Sequence, residues 1–209
     1  MLDKSVALLR ALAAGPLGLA ALVEATGISR PTAHRLASAL VDHGFVRRTD
    51  DGRFALGAEL VGLGRAAATS WPWGDAARPA LAGLVEATGE SAQLYVREGE
   101  ARRCLLSLES GHELRTIVAE GARLSLDSGS GGRVLRDPDG VGPAGWVESI
   151  EERAPGVASV SAPVRDASGL VVAAVGVSGP VERLGPSPGR RHGAQVVAAA
   201  TRIESALAR

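Results

Sequence analysis

Residues 27–46 constrain this chain more than any other stretch, because they read as a turn, a two-faced helix and the start of a strand. Gly27 can hold the positive φ that closes a preceding helix. Ser29 or Arg30 fills the capping region. Pro31 falls at the start of the next helix, where its missing N–H costs nothing. Ala33, Leu36, Ala37 and Leu40 recur at three- and four-residue spacing and form one apolar stripe. The opposite face carries Ser29, Arg30, Thr32, His34, Arg35 and Ser38. Such a helix, entered through a three-residue turn from a shorter one, has the shape and chemistry to lie in a DNA major groove.

The flanking segments fit that picture. Residues 17–26 predict the shorter helix, with Leu19, Leu22 and Val23 turned toward the Leu36/Leu40 stripe. From Phe45 to Leu56 the pattern alternates and breaks at Asp51-Gly52, a strong hairpin signal. Arg47, Arg48 and Arg53 on that hairpin make it a wing able to reach phosphate or the minor groove. The bland alternative is an ordinary Ala/Leu-rich helical hairpin, which the arginine-bearing strands and short spacers disfavour.

Charge sharpens the reading. The 23 basic residues balance the 23 acidic ones, so no global positive field draws the chain to nucleic acid. The basic excess is local, at Arg30, Arg35, Arg47, Arg48 and Arg53, and suits a dimer reading short sites. Lys4 is the one lysine, so no P-loop and no interior Schiff-base lysine can exist. Cys104 is the one cysteine, which excludes a disulfide within the chain and a thiolate zinc cluster. His34, His43, His112 and His192 show no paired ligand spacing on one helix, so no metal or other cofactor is expected. No apolar run reaches membrane-spanning length, and the first residues lack a cleavable signal pattern. A soluble, cytoplasmic protein is the expectation.

With 209 residues, two unequal domains are the natural organisation. Residues 2–14 predict an amphipathic helix with Val6, Leu9, Leu12 and Ala13 inward, and with apolar surface left at Leu2, Leu8 and Leu12 for a partner chain. Residues 57–70 resume helical periodicity, and Trp71-Pro72-Trp73-Gly74 interrupts it. The expected division is a DNA-binding domain over 1–56, a linker helix over 57–72 and a second domain over 73–209. In that second domain, residues 75–88 predict a helix with Ala77, Leu81, Leu84 and Val85 buried. Residues 91–97 and 102–109 form a hairpin, and residues 114–118 are a further extended piece. Residues 156–164 and 170–178 flank a turn at Asp166-Ala167-Ser168-Gly169, and residues 190–208 close the chain as a helix. Helices with an antiparallel sheet make an α+β, sensor-type domain.

The conspicuous polar run is Asp127-Ser128-Gly129-Ser130-Gly131-Gly132. A serine nucleophile there needs a histidine base and an acid, for which no partner motif exists. A surface loop is the bland reading. The favoured one is a helix N-terminus, running on through Arg133-Val134-Leu135-Arg136, whose N–H groups and hydroxyls receive a small anion. Ser159 and Ser161 share one strand face with period two, and Ser178 lies on the next strand. That face is either solvent or a cavity for a small polar ligand. Cys104 reads as a core thiol. Tyr95 either closes a pocket wall or packs. Glu148, Glu151 and Glu152 fall on a short helical piece after Trp146, as a solvated face or as the partner of a ligand amine.

With these strings in view the whole chain resembles the IclR family of bacterial transcription regulators. The carrying segments are residues 3–9, 29–36, 156–164 and 175–180. Residues 89–95 and 155–163 look like the actinobacterial NdgR branch, which regulates leucine and other amino-acid biosynthesis. The resemblance implies a winged helix-turn-helix, a linker helix and a GAF-like effector domain, assembled as a homodimer or a dimer of dimers. It places the effector pocket on Ser128, Gly129, Ser130, Ser159, Ser161 and Ser178. Two departures stand out: Gly176 replaces a residue that is polar in many members, and residues 136–145 are shorter than the usual segment. The expected function is a metabolite-responsive regulator that binds an inverted-repeat operator in double-stranded DNA, with an amino acid or organic acid as its effector. Ser29, Arg30, Pro31, Thr32, His34, Arg35, Ser38, Arg47, Arg48 and Arg53 face the DNA. It is not expected to be an enzyme. The competing class is a small-molecule sensor or hydrolase with an accessory helical domain.

Overall fold

The computed structural model describes residues 1–70 and 73–208, and Trp71 and Pro72, within the expected boundary, lie outside the described residues. The chain divides into two compact units, Met1–Trp71 and Pro72–Arg209.

In the first unit, α1 (Leu2–Leu12), α2 (Leu19–Thr26) and α3 (Arg30–Asp42) precede a hairpin of β1 (Val46–Arg48) and β2 (Phe54–Leu56), and α4 (Glu59–Ser70) follows. Gly27 ends α2 in the left-handed region at φ 66°, donating its N–H to the Val23 carbonyl. Ser29 caps α3 and Pro31 sits in its first turn. Leu8, Leu12, Leu22, Ile28, Ala33, Leu36, Ala37, Val46 and Phe54 form one core. Burying a side chain of Leu or Phe size contributes about 1.5–3 kcal/mol, which is what holds three short helices and a two-strand sheet together.

The expected inward face of α1 needs correction. Leu8 is fully buried and Leu12 nearly so, whereas Ala13 is exposed. Leu8 and Leu12 are one helical turn apart and together meet the core, so neither is surplus for a partner chain. Leu2, 76% exposed, is.

The second unit is a six-stranded antiparallel sheet in the order β5-β4-β3-β8-β7-β6. Its strands are β3 (Ser91–Glu98), β4 (Ala101–Leu108), β5 (Arg123–Ser125), β6 (Val147–Ile150), β7 (Val157–Arg165) and β8 (Val171–Pro180). Two long helices, α5 (Trp73–Thr88) and α8 (Pro188–Leu207), cover one face, and a short α6 (Ser130–Arg136) packs on β7 and β8 from the other. A one-turn α7 (Val181–Leu184) leads from β8 toward α8. Alternation sorts the residues: Ala158, Val160, Ala162, Val175 and Val177 face the long helices, while Tyr95, Cys104, Val147 and Ala174 join Val134 and Leu135 of α6. With both faces covered, β8 is almost continuously buried, as its apolar run implies.

Two local expectations fail here. Residues 114–118 join no strand; Thr116 and Val118 are buried while Leu114 and Ile117 are exposed, so the piece clings to the sheet by side chains. Glu148 lies on a strand, β6, not on a helix. Val147 and Ser149 alternate inward around it, and pairing with β7 overrides the helical preference of an acidic run. Glu151 and Glu152 occupy the following turn, where Glu151 takes φ 57°.

Candidate nucleic-acid interface and effector site

The buried stripe of α3 fixes what the helix shows on its other side. With Ala33, Leu36 and Ala37 in the core, Arg30, Pro31, His34 and Arg35 are exposed, while Thr32 and Ser38 are half-buried. Ser29 is exposed too, and its hydroxyl donates to the Thr32 hydroxyl at 3.0 Å. Neither Arg30 nor Arg35 forms an ion pair among the described residues; Arg35 makes only a long contact to the Met1 sulfur at 4.0 Å.

On the hairpin, three arginines have different circumstances. Arg47 is exposed and unpaired among the described residues. Arg48 donates to the Gly52 carbonyl at 3.1 Å and lies over the Phe54 ring at 4.2 Å. Arg53 pairs with Asp51 at 2.6 Å, both half-exposed, a solvent-screened contact easily exchanged for a phosphate. The Thr49 hydroxyl, ahead of the Arg53 contacts, holds the Asp51 carboxyl below its usual range.

In the second unit the sheet and α6 bring all six residues expected at the effector pocket into one patch. The Ser130 hydroxyl lies 2.8 Å from both Ser159 and Ser161. Ser178 stands opposite Ser159 in the β7–β8 register and donates to Gln93 Oε1 at 2.9 Å. The Gly129 N–H donates to Glu152 at 3.1 Å, and the Ser128 carbonyl accepts from Arg102 at 2.8 Å. The serines thus bond to one another, and the Ser130 hydroxyl has serine partners, not a histidine base. Gly176 now has a reason: a Cβ there would strike the Ser161 hydroxyl and the Val160 carbonyl.

Val157 and Pro180, opposite each other one step beyond Ser159 and Ser178, continue this face into an open groove of about 400 Å³. Leu114, Thr116, Ile117 and Arg153 wall it. Sequence reasoning missed Gln93, Arg102 and Arg153. Gln93 was detectable, two residues from Tyr95 on the same strand face between Ala92 and Leu94. Arg102 stands next to Arg103 with no local signal of burial, yet it is 3% exposed. Burial pushes the Cys104 thiol up to about 12, so it behaves as core. It also raises the Tyr95 hydroxyl well above its ordinary value.

Comparisons with known proteins bear on both sites. The model of the IclR helix-turn-helix domain matches residues 1–50, and that of the bacterial transcriptional regulator IclR C-terminal domain matches residues 139–205. The glycerol operon regulatory protein of Streptomyces griseus is 30% identical over 88% of this chain and 86% of its own length. The chain belongs to the IclR family. Members are DNA-binding transcriptional regulators with an effector-binding C-terminal domain, not enzymes. The 226 aligned positions exceed the 209 residues here, so that relative carries internal residues this chain lacks. IclR-type structures share the fold. The regulator from Alicyclobacillus acidocaldarius has a TM-score of 0.84 at 19% identity, covering 99% of this chain and 98% of its own. An IclR homolog from Microbacterium hydrocarbonoxydans, complexed with 4-hydroxybenzoate, has a TM-score of 0.82 at 20% identity over the same shares. Among the described residues no helix is long and apolar enough to cross a membrane.

Proposed function

We propose that this IclR-family chain is a cytoplasmic, metabolite-responsive regulator of amino-acid metabolism that binds an inverted-repeat operator as a homodimer or dimer of dimers. Residues 1–56 bind DNA, 57–72 link, and 73–209 bind the effector and oligomerise. The observation that carries the reading is the unpaired cationic face of α3, backed by a buried stripe that leaves it nowhere else to point. Arg30, Thr32, His34 and Arg35 approach base edges, arginine being the usual partner of guanine. Ser29, Pro31 and Ser38 fit the helix to the groove, while Arg47, Arg48 and Arg53 hold phosphate or the minor groove. Exposed Leu2, Val61 and Leu63 offer apolar surface to a second copy. Ser128, Gly129, Ser130, Ser159, Ser161 and Ser178 line the effector site. The strings shared with the NdgR branch support the amino-acid assignment.

Footprinting on the gene's own upstream DNA, with and without leucine, isoleucine and valine, tests this reading. Two protected half-sites about one or two helical turns apart, altered by an amino acid, are expected. Protection without sequence preference sinks the operator assignment. A response to glycerol but to no amino acid would shift the regulated genes instead.

A further inference from the structure

We propose that Arg102 selects an acidic effector, receiving the ligand's carboxylate on a guanidinium edge that the protein leaves empty. This rests on the effector-binding reading of the second unit and adds to it the side chain that reads the ligand's carboxylate.

A guanidinium binds a carboxylate best through two parallel N–H groups. Arg183 shows that arrangement in full, offering Nε and Nη2 to the buried Glu90 carboxylate at 2.6 and 2.8 Å. Arg102 presents the same edge to nothing. Its Nη1 donates to the carbonyls of Ser125 and Ser128. Among the described residues Nε is buried without a partner, and the side chain's hydrogen bonds are both made by Nη1. The Tyr95 ring lies 5.2 Å from the guanidinium carbon. Burial lowers the Arg102 pKa first; Tyr95 and Cys104 oppose the shift, Arg153 adds to it by like charge, and no carboxylate is among the causes. A buried cation ordinarily has an acid beside it; among the described residues Arg102 forms no ion pair.

The surroundings ask for the same chemistry. In the strand register Gln93, Tyr95 and Arg102 share the sheet face of Ser159, Ser161 and Ser178. On that face Gln93 Nε2 and Arg102 Nε are buried donors with no acceptor. Arg153, half-buried and in no ion pair among the described residues, lines the adjoining groove. Two donors and two arginines are completed by a ligand bearing acceptors and negative charge, whereas an amine adds a third cation. Gly132 lets the guanidinium sit this close, since a Cβ there would strike Arg102 Nη1 and the Leu126 carbonyl. Nε is sealed from solvent and the Ser128 carbonyl on Nη1 places the turn at 127–129 over the guanidinium, so this turn is what an entering acid has to displace.

The test pairs acids with their neutral amides on the full chain at constant ionic strength: 4-methylpentanoate with 4-methylpentanamide, and 4-hydroxybenzoate with 4-hydroxybenzamide. Thermal midpoint and tryptophan fluorescence report binding. At least one acid should bind saturably, its amide at least tenfold more weakly, and Arg102→Gln should abolish that preference. If Arg102→Gln loses its cooperative melt, Arg153→Gln substitutes, with acid affinity falling several-fold and amide affinity unchanged. Amides binding as well as acids, no acid binding at all, or a preference that survives in the folded Arg102→Gln chain overturns the proposal. A neutral ligand that alters operator binding would sink the acid assignment and leave the regulator standing. An acid that binds without changing operator affinity would do the reverse.

Discussion

The outer face of α3 and the inner face of the effector sheet are both lined with unsatisfied donors, but under opposite conditions. On α3 the arginines are exposed and hydrated, so leaving them empty costs nothing and a polyanion can take them by counterion exchange. On the sheet, Gln93 Nε2 and Arg102 Nε are sealed from water without acceptors, and each such group costs roughly 1–3 kcal/mol while it stays unpaired. The difference separates two kinds of recognition site. A surface that meets a rigid, highly charged partner can wait in solvent. A site that must recognise a small molecule gains its discrimination from groups that are uncomfortable when empty.

Breaking the scaffold behind one face is the largest test. Phe54→Ala empties a fully buried position in the first core and should cost about 3–5 kcal/mol there. Calorimetry should show the transition of the first unit lowered and that of the second unmoved. A uniform loss across both transitions would mean the units do not melt separately. Next, Arg35→Ala should cost roughly 1–3 kcal/mol of operator affinity and relax sequence preference, with melting and small-molecule binding unchanged. Gel shifts indistinguishable from the parent chain would remove the base-reading role of α3.

Burial on the opposite face of the sheet, under α8, has a pH signature of its own. Burial first, and the Arg191 charge next, hold the His192 imidazole below its ordinary pKa. The unfolded chain therefore takes up this proton first as pH falls. Stability is complete above about pH 6.5 and is lost as pH drops through that value toward the folded pKa. His192→Gln should flatten that slope in urea midpoints measured across the range. An unchanged slope would place the dependence elsewhere. The smallest expected effect is on the exposed side: Arg47→Ala should reduce the salt dependence of DNA binding by about one counterion without changing sequence preference. A specificity change would instead put Arg47 at a base.

The helix-turn-helix was legible because its signals are local. Gly27, Pro31, Asp51-Gly52 and a three-four apolar spacing act within a few residues of themselves, and the structure places them as read. The candidate effector site was legible only in part. Ser159 and Ser161 announce a shared face by period two, and the glycine-rich run announces α6. Which hydroxyl they meet depends on the β7–β8 register and on how α6 lies on the sheet. Leu8 shows the same limit at smaller scale: a stripe of Leu and Ala one turn wide does not say which edge meets the core.

By itself the sequence determined a winged helix-turn-helix followed by an α+β unit, a helix with its cationic face outward and an antiparallel sheet with serines in step, because periodicity and turn chemistry are properties of neighbouring residues. Only the tertiary structure decided that Arg102 is buried without an acid, that Gln93 faces the same strip, and that Ser130 closes on Ser159 and Ser161. Those facts join strands and a helix far apart in the chain. The cost of an unpaired charge exists only once other elements have taken the water away.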